Sequence, residues 1–117
     1  MTQTRKYKGF TPTMGIWMVK NLKNGKVWLG GSEHVQAKLN GFQFQLKMGS
    51  CMNRTLQQEY NQDGPEHFVF EVLDELKPDP SKPEGFDYRQ DLKDLEELWL
   101  EKLQPYDPNG YHRPKKA

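Results

Sequence analysis

The sequence offers one cysteine in 117 residues, so no disulfide can form within the chain. That scarcity suits a reducing compartment. With no CxxC partner, Cys51 reads as a small buried or half-buried residue rather than a metal ligand. Long apolar runs are missing too: none approaches the ~18 residues of a membrane span, and the N-terminus lacks the apolar core of a signal peptide. The expectation is a cytoplasmic chain with no membrane association. Hydrophobic residues make up 34% and the mean hydropathy is −0.98, polar for a globular domain. What argues against wholesale disorder is the 12% aromatic content, which supplies large core pieces. The length fits a single domain with one modest core, and no internal repeat is visible.

Net charge is only +1, but it is unevenly placed. Residues 1–65 hold nine Lys/Arg against three Asp/Glu, whereas residues 66–103 hold five against twelve. Such a split allows a basic surface facing phosphates and an acidic one turned away or set around a metal. It equally allows two halves that intermix in space and cancel.

The stretch Gly15–Gly31, GIWMVKNLKNGKVWLGG, organises the rest. Two short apolar runs flank Asn24-Gly25, a dipeptide suited to the positive φ angles of a tight hairpin turn. Side chains alternate along a strand, so Ile16, Met18, Val27 and Leu29 should share one face. Trp17, Val19, Trp28 and Gly30 then occupy the other.

Before the hairpin, residues 1–13 mix Arg5, Lys6 and Lys8 with Tyr7 and Phe10, and Gly9 and Pro12 interrupt any regular pattern. This reads as a flexible basic arm, able to follow a nucleic-acid backbone or simply to fray. After the hairpin, Ser32 is a candidate helix cap, and Val35, Leu39, Phe42 and Leu46 form an amphipathic stripe ending near Gly49. Gly41 inside that stripe predicts a close backbone approach or a break. Asn53 is placed to cap a second helix carrying Leu56 and Tyr60, stopped by Gly64-Pro65. His67–Leu76 alternates like a third strand. Four elements of punctuation, Pro78, Pro80, Pro83 and Gly85, then make an ordered or semi-stiff excursion. A closing helix from about Tyr88 to Leu103 follows, with Leu92, Leu95, Trp99 and Leu103 on one stripe. Asn109-Gly110 carries turn chemistry, and residues 113–117 form a basic tail.

Glu96 interrupts the apolar stripe of the closing helix, lying within about 60° of Leu92, Trp99, Leu100 and Leu103 at 100° per residue. A carboxylate turned toward a core must be paired, hydrogen-bonded or bound to a cation, unless it escapes at the stripe's edge.

The hairpin resembles that of the GIY-YIG nucleases, with Gly15-Ile16-Trp17 standing for GIY and Trp28-Leu29-Gly30 for YIG. Further similarity follows in the family's order: GSEHVQAKL, LQQEYNQDG, FVFEVLDEL, LEELWLEKL and NGY, spanning roughly residues 15–111. The resemblance implies an α+β fold, a small three-stranded antiparallel sheet flanked by helices, in one domain over residues 14–112. It also implies metal-dependent hydrolysis of a phosphodiester, with Glu96 at the position of the glutamate that binds Mg²⁺ or Mn²⁺.

Departures from the pattern are just as informative. Trp17 and Trp28 occupy the family's two tyrosine positions, and an indole N–H donates only, so it cannot take a proton from water. The family's arginine falls at Lys38 or at Gly41 depending on the alignment, and its companion histidine falls at Phe42. Lys38 supplies a point charge without the bidentate fork. His112 stands where the family often has asparagine; His34, beside the hairpin, is the nearby side chain of a type suited to general base work, or, the favoured reading, simply an exposed residue in the helix's first turn. Loss of both the base and the electrophilic cation should cost orders of magnitude, since each contributes typically ~10²-fold or more. The leading expectation is therefore a degenerate nuclease fold that binds nucleic acid, DNA rather than RNA, through Trp17, Trp28, Lys38 and the arm residues Arg5, Lys6 and Lys8, with little or no cleavage; the two indoles would form a stacking platform, or, the favoured arrangement, lie buried beneath a helix. Two alternatives stand beside it: an active metal-dependent endonuclease with a rearranged site, and a protein-interaction module. The sequence leaves the oligomeric state open.

Overall fold

The structure, a computed structural model, describes residues 13–113. The arm residues Arg5, Lys6 and Lys8 lie outside that range, as does the basic tail apart from Arg113.

Strand β1 (Met14–Asn21) pairs antiparallel with β2 (Val27–Ser32) on one side and with β3 (Phe68–Leu76) on the other, in the order β2-β1-β3. Pairing sets Trp17 opposite Gly30 and Met18 opposite Leu29. The turn differs from a two-residue Asn-Gly turn. Leu22 to Gly25 form a four-residue loop, closed by the Asn21 N–H on the Lys26 carbonyl at 2.9 Å and the Gly25 N–H on the Asn21 carbonyl at 2.7 Å. Only Gly25 in the loop has positive φ, at +77°. Carboxamides of Asn21 and Asn24 accept from the N–H groups of Lys23 and Lys26, adding side-chain turn bonds. A four-residue loop preserves the parity of a two-residue one, so the expected division of faces holds.

Each face carries its own helices. Trp17 and Val19 are buried with Val35, Leu39, Phe42 and Leu46 of α1 (Val35–Met48) and with Leu56 and Tyr60 of α2 (Arg54–Asp63). On the opposite face Ile16, Met18, Val27 and Leu29 pack against Leu95, Trp99 and Leu100 of α3 (Arg89–Leu103). Leu103, expected on that stripe, is 40% exposed.

Helix ends follow local chemistry, with one shift. The Asn53 side chain accepts from the Leu56 N–H at 3.1 Å and caps α2 as expected. At α1 the cap residue is His34, while the Ser32 hydroxyl, two residues earlier, accepts from the His34 N–H. Gly49 closes α1 in the left-handed region at φ +78°. Gly41 produces neither a break nor a close approach: α1 runs through it, and a Cβ there would meet nothing within 4 Å. By contrast, Gly15 is required by packing, since its Cβ would sit 2.2 Å from the Asp74 carbonyl oxygen of β3. Beside it, the β1–β3 register shifts between Ile16 and Trp17. Among the described residues no helix is long and apolar enough to cross a membrane.

Candidate functional site

Two consecutive glycines in β2 set the site's geometry. Successive strand residues face opposite sides of the sheet, so Gly30 opens toward α1 and Gly31 toward α3. The indole of Trp17 fills the space over Gly30: a Cβ there would lie 2.6 Å from the ring's Cζ2. The carboxylate of Glu96 and the carbonyl of Leu92 stand over Gly31, each 3.6 Å from where its Cβ would be.

Trp17 is only 5% exposed. Its ring packs against Phe42 at 4.4 Å and edge-on against Trp28 at 5.2 Å, and Trp28 contacts Phe42 at 4.8 Å. Three aromatic rings thus fill the corner where the family places a tyrosine pair and a histidine. The Nε1–H of Trp17 is buried with no hydrogen-bond partner among the described residues, a costly state for a donor. Trp99 on the other face differs, because its N–H donates to Asp74 at 2.9 Å. Trp17 is buried beneath α1, the arrangement favoured over a stacking platform on sequence grounds. Trp28 remains half-buried, with part of its ring at the surface.

The outer edge of β2 gathers the remaining pieces. An edge strand presents unpaired N–H groups, and here side chains take them: Leu29 N–H donates to His112 Nε2 at 3.0 Å, and Gly31 N–H to Glu96 Oε1 at 3.2 Å. Two residues along a strand span roughly 7 Å, so the imidazole and the carboxylate stand near one another along that edge. Tyr111 extends the closure by donating its backbone N–H to the Val27 carbonyl at 3.1 Å.

Electrostatics distinguish these groups. Burial pushes the Glu96 carboxyl up, with the Gly31 N–H pulling the other way. Burial lowers His112. Its Nε2 lone pair is already committed to Leu29, so that nitrogen is not free to accept a proton from water. His34 is exposed at the start of α1 and makes no side-chain cap bond. Lys38 is exposed on α1 with its ammonium 5.6 Å from the Phe42 ring centroid, close to the aromatic corner but apart from Glu96, which lies on the other side of β2.

The C-terminal segment is held by a polar knot that sequence reasoning missed. Fully buried Asn21 donates to Glu59, Asp63 and the Tyr111 hydroxyl, and that hydroxyl donates to Glu59. Lys26 pairs with Glu59 at 2.9 Å. Burial alone would raise the Glu59 carboxyl, but bonds from Tyr111, Asn24 and Lys26 and the Lys26 charge outweigh it and hold its pKa at about 2. Burial, then the Glu59 bond, raise Tyr111. Asn53 adds a bond from its amide to the Tyr111 carbonyl at 3.0 Å. Between this segment and the start of α2 runs an open cleft of about 510 Å³, lined in part by Trp28, Arg54, Thr55, Asp107, His112 and Arg113. The signal for Arg54 was available, since it follows a recognisable cap; nothing in the sequence marked Arg113 as its neighbour across a cleft.

The resemblance implies a divalent cation. Among the described residues no group of three or more His, Cys, Asp and Glu is placed to hold a metal. An all-protein cage is therefore not built. Glu96 presents a single carboxylate with one oxygen on Gly31, which fits a hard cation such as Mg²⁺ that keeps its waters and binds through one carboxylate plus substrate phosphate.

Neither a protein-family profile nor a curated protein matches the sequence significantly. Among solved structures, the catalytic domain of the homing endonuclease I-TevI superposes with a TM-score of 0.66 at 22% identity, covering 87% of this chain and 99% of that one. A mutant of the same catalytic domain gives a TM-score of 0.67 at 23% identity, covering 90% and 97%. At this identity the likeness is one of fold, and the fold is the GIY-YIG nuclease fold that the GIW and WLG strands of the sequence suggested.

Proposed function

We propose that this chain is a GIY-YIG-type nuclease-fold domain that binds nucleic acid, DNA in preference to RNA, with weak or no phosphodiester hydrolysis. Nearly whole-chain likeness to an endonuclease catalytic domain supports a nucleic-acid partner. So do the basic residues of the first half of the chain. The observation that carries the loss of cleavage is Trp17: where the family has a phenol, this chain has an indole packed against Phe42, donor only and without a hydrogen-bond partner among the described residues. Phosphoryl transfer depends chiefly on positioning and electrostatic stabilisation, and no arginine stands at Lys38, Gly41 or Phe42 to supply it. Glu96 is the residue to hold Mg²⁺ or Mn²⁺; a bound cation supplies charge neutralisation at a phosphate. This chain's own residues would then orient the strand without activating the attacking water.

A second reading, an active endonuclease with a rearranged site, is favoured by the convergence of Glu96 and His112 on the outer edge of β2. One experiment separates the two. Supercoiled plasmid is incubated with pure protein and Mg²⁺ or Mn²⁺, alongside a binding measurement by DNA retardation at rising salt. The proposed reading expects salt-sensitive retardation with at most trace nicking. Robust cation-dependent nicking abolished by Glu96→Ala establishes the second reading, and absence of retardation at low salt overturns the first.

A further inference from the structure

We infer that the cleft between the start of α2 and the C-terminal segment is the seat of a nucleic-acid strand, held through its phosphates by Arg54 and Arg113 against Trp28. The inference rests on the nucleic-acid reading above and assigns it a place. Arg54 comes from α2 and Arg113 from the segment that follows Tyr111, so two guanidinium groups separated by most of the second half of the chain border one cavity. Both are exposed, and among the described residues neither is in an ion pair. Two guanidiniums face one carboxylate, Asp107, in the lining.

The chemistry suits a phosphodiester. Arginine presents a planar fork of donors that matches phosphate oxygens. A half-buried indole beside it provides an apolar wall for sugar or base. The cleft also borders the outer edge of β2 through His112, whose imidazole both lines the cavity and binds the Leu29 N–H. Trp17 is not part of the lining. The walls are pre-set: Asn53 caps α2 and also ties the Tyr111 carbonyl, and Tyr111 is tied in turn to Glu59 and Asn21. Little ordering is left for a ligand to bear.

The test is fluorescence anisotropy with a labelled DNA 20-mer, single-stranded and duplex, in EDTA, across a salt series. Arg54→Ala and Arg113→Ala should each weaken binding by about 5- to 10-fold and lower the log–log salt slope by about 1, with the melting temperature unchanged. Lysine at either position should keep the slope but recover only part of the affinity. Lys102→Ala, at an exposed position of α3 outside the cleft, should leave affinity within about twofold. Wild-type affinity and slope retained in the Arg54→Ala/Arg113→Ala protein overturn the assignment while leaving the nucleic-acid reading intact. A wild-type protein that binds neither oligonucleotide overturns both. Inorganic phosphate that displaces the oligonucleotide at equal phosphate concentration points to a free-anion site and overturns the strand.

Discussion

The indole of Trp17 and the carboxylate of Glu96 stand on opposite sides of β2, one against Gly30 and the other against Gly31. Only the Trp17 side requires a missing side chain: a Cβ at Gly30 would overlap the indole, whereas one at Gly31 would make ordinary contact with Glu96.

The consequence is asymmetric. Gly30→Ala places a methyl 2.6 Å from the Trp17 ring, an overpacking that should cost about 1–3 kcal/mol. Gly31→Ala meets its neighbours at 3.5 Å or more, ordinary contact, and should cost well under that. Urea unfolding measures both. Adding Trp17→Leu to Gly30→Ala should recover part of the loss, read as a favourable coupling in the double-mutant cycle.

Gly41 lies in open space on a continuous α1. Gly41→Ala should therefore stabilise the protein by about 0.5–1 kcal/mol through the reduced backbone entropy of the unfolded chain. A thermal melt showing no rise would contradict the open position.

Glu59 should dominate the acid limb of stability. Its pKa is about 2 in the fold against an ordinary 4.5. The unfolded chain thus takes up the proton first, so the stabilisation is whole above pH 4.5 and is lost as pH falls toward 2. The side chain is about 20% exposed, so roughly 2–3 kcal/mol is at stake. In Glu59→Gln, unfolding free energy measured across that range should lose this slope.

His112 should add a second, gentler step. Burial lowers its pKa below 6.5, and protonation of Nε2 would end its acceptance of the Leu29 N–H. Stability from this group is complete above pH 6.5 and declines as pH falls through the lowered value. His112→Gln keeps an acceptor without titrating, so its stability curve should be flatter just below pH 6.5.

Much of the architecture was legible because it rests on local periodicity. The alternation across Ile16–Val19 and Val27–Leu29 divided the two faces of the sheet, and the stripe Val35, Leu39, Phe42 and Leu46 gave α1 its buried side. Glu96 could be singled out because a carboxylate among leucines violates that periodicity, and it lies half-buried with a backbone partner. What stayed hidden was long-range. The Asn21–Glu59–Tyr111 knot joins residues 38 to 90 positions apart, and no local pattern encodes such a meeting. Gly41 misled because a glycine in a helix signals cost without saying whether anything compensates it. The Asn24-Gly25 turn lengthened because Asn21 also bonds the loop, a choice invisible from the dipeptide alone.

The segment around Tyr111 and His112 acts as a hem on the sheet. His112 and Tyr111 occupy the exposed margin of β2 at Leu29 and Val27. Ending the chain before Pro105 would strip that margin and leave a bare ladder rung on which another molecule's strand can settle. Self-association of the shortened protein would be the first sign that the tail end serves solubility as well as the cleft.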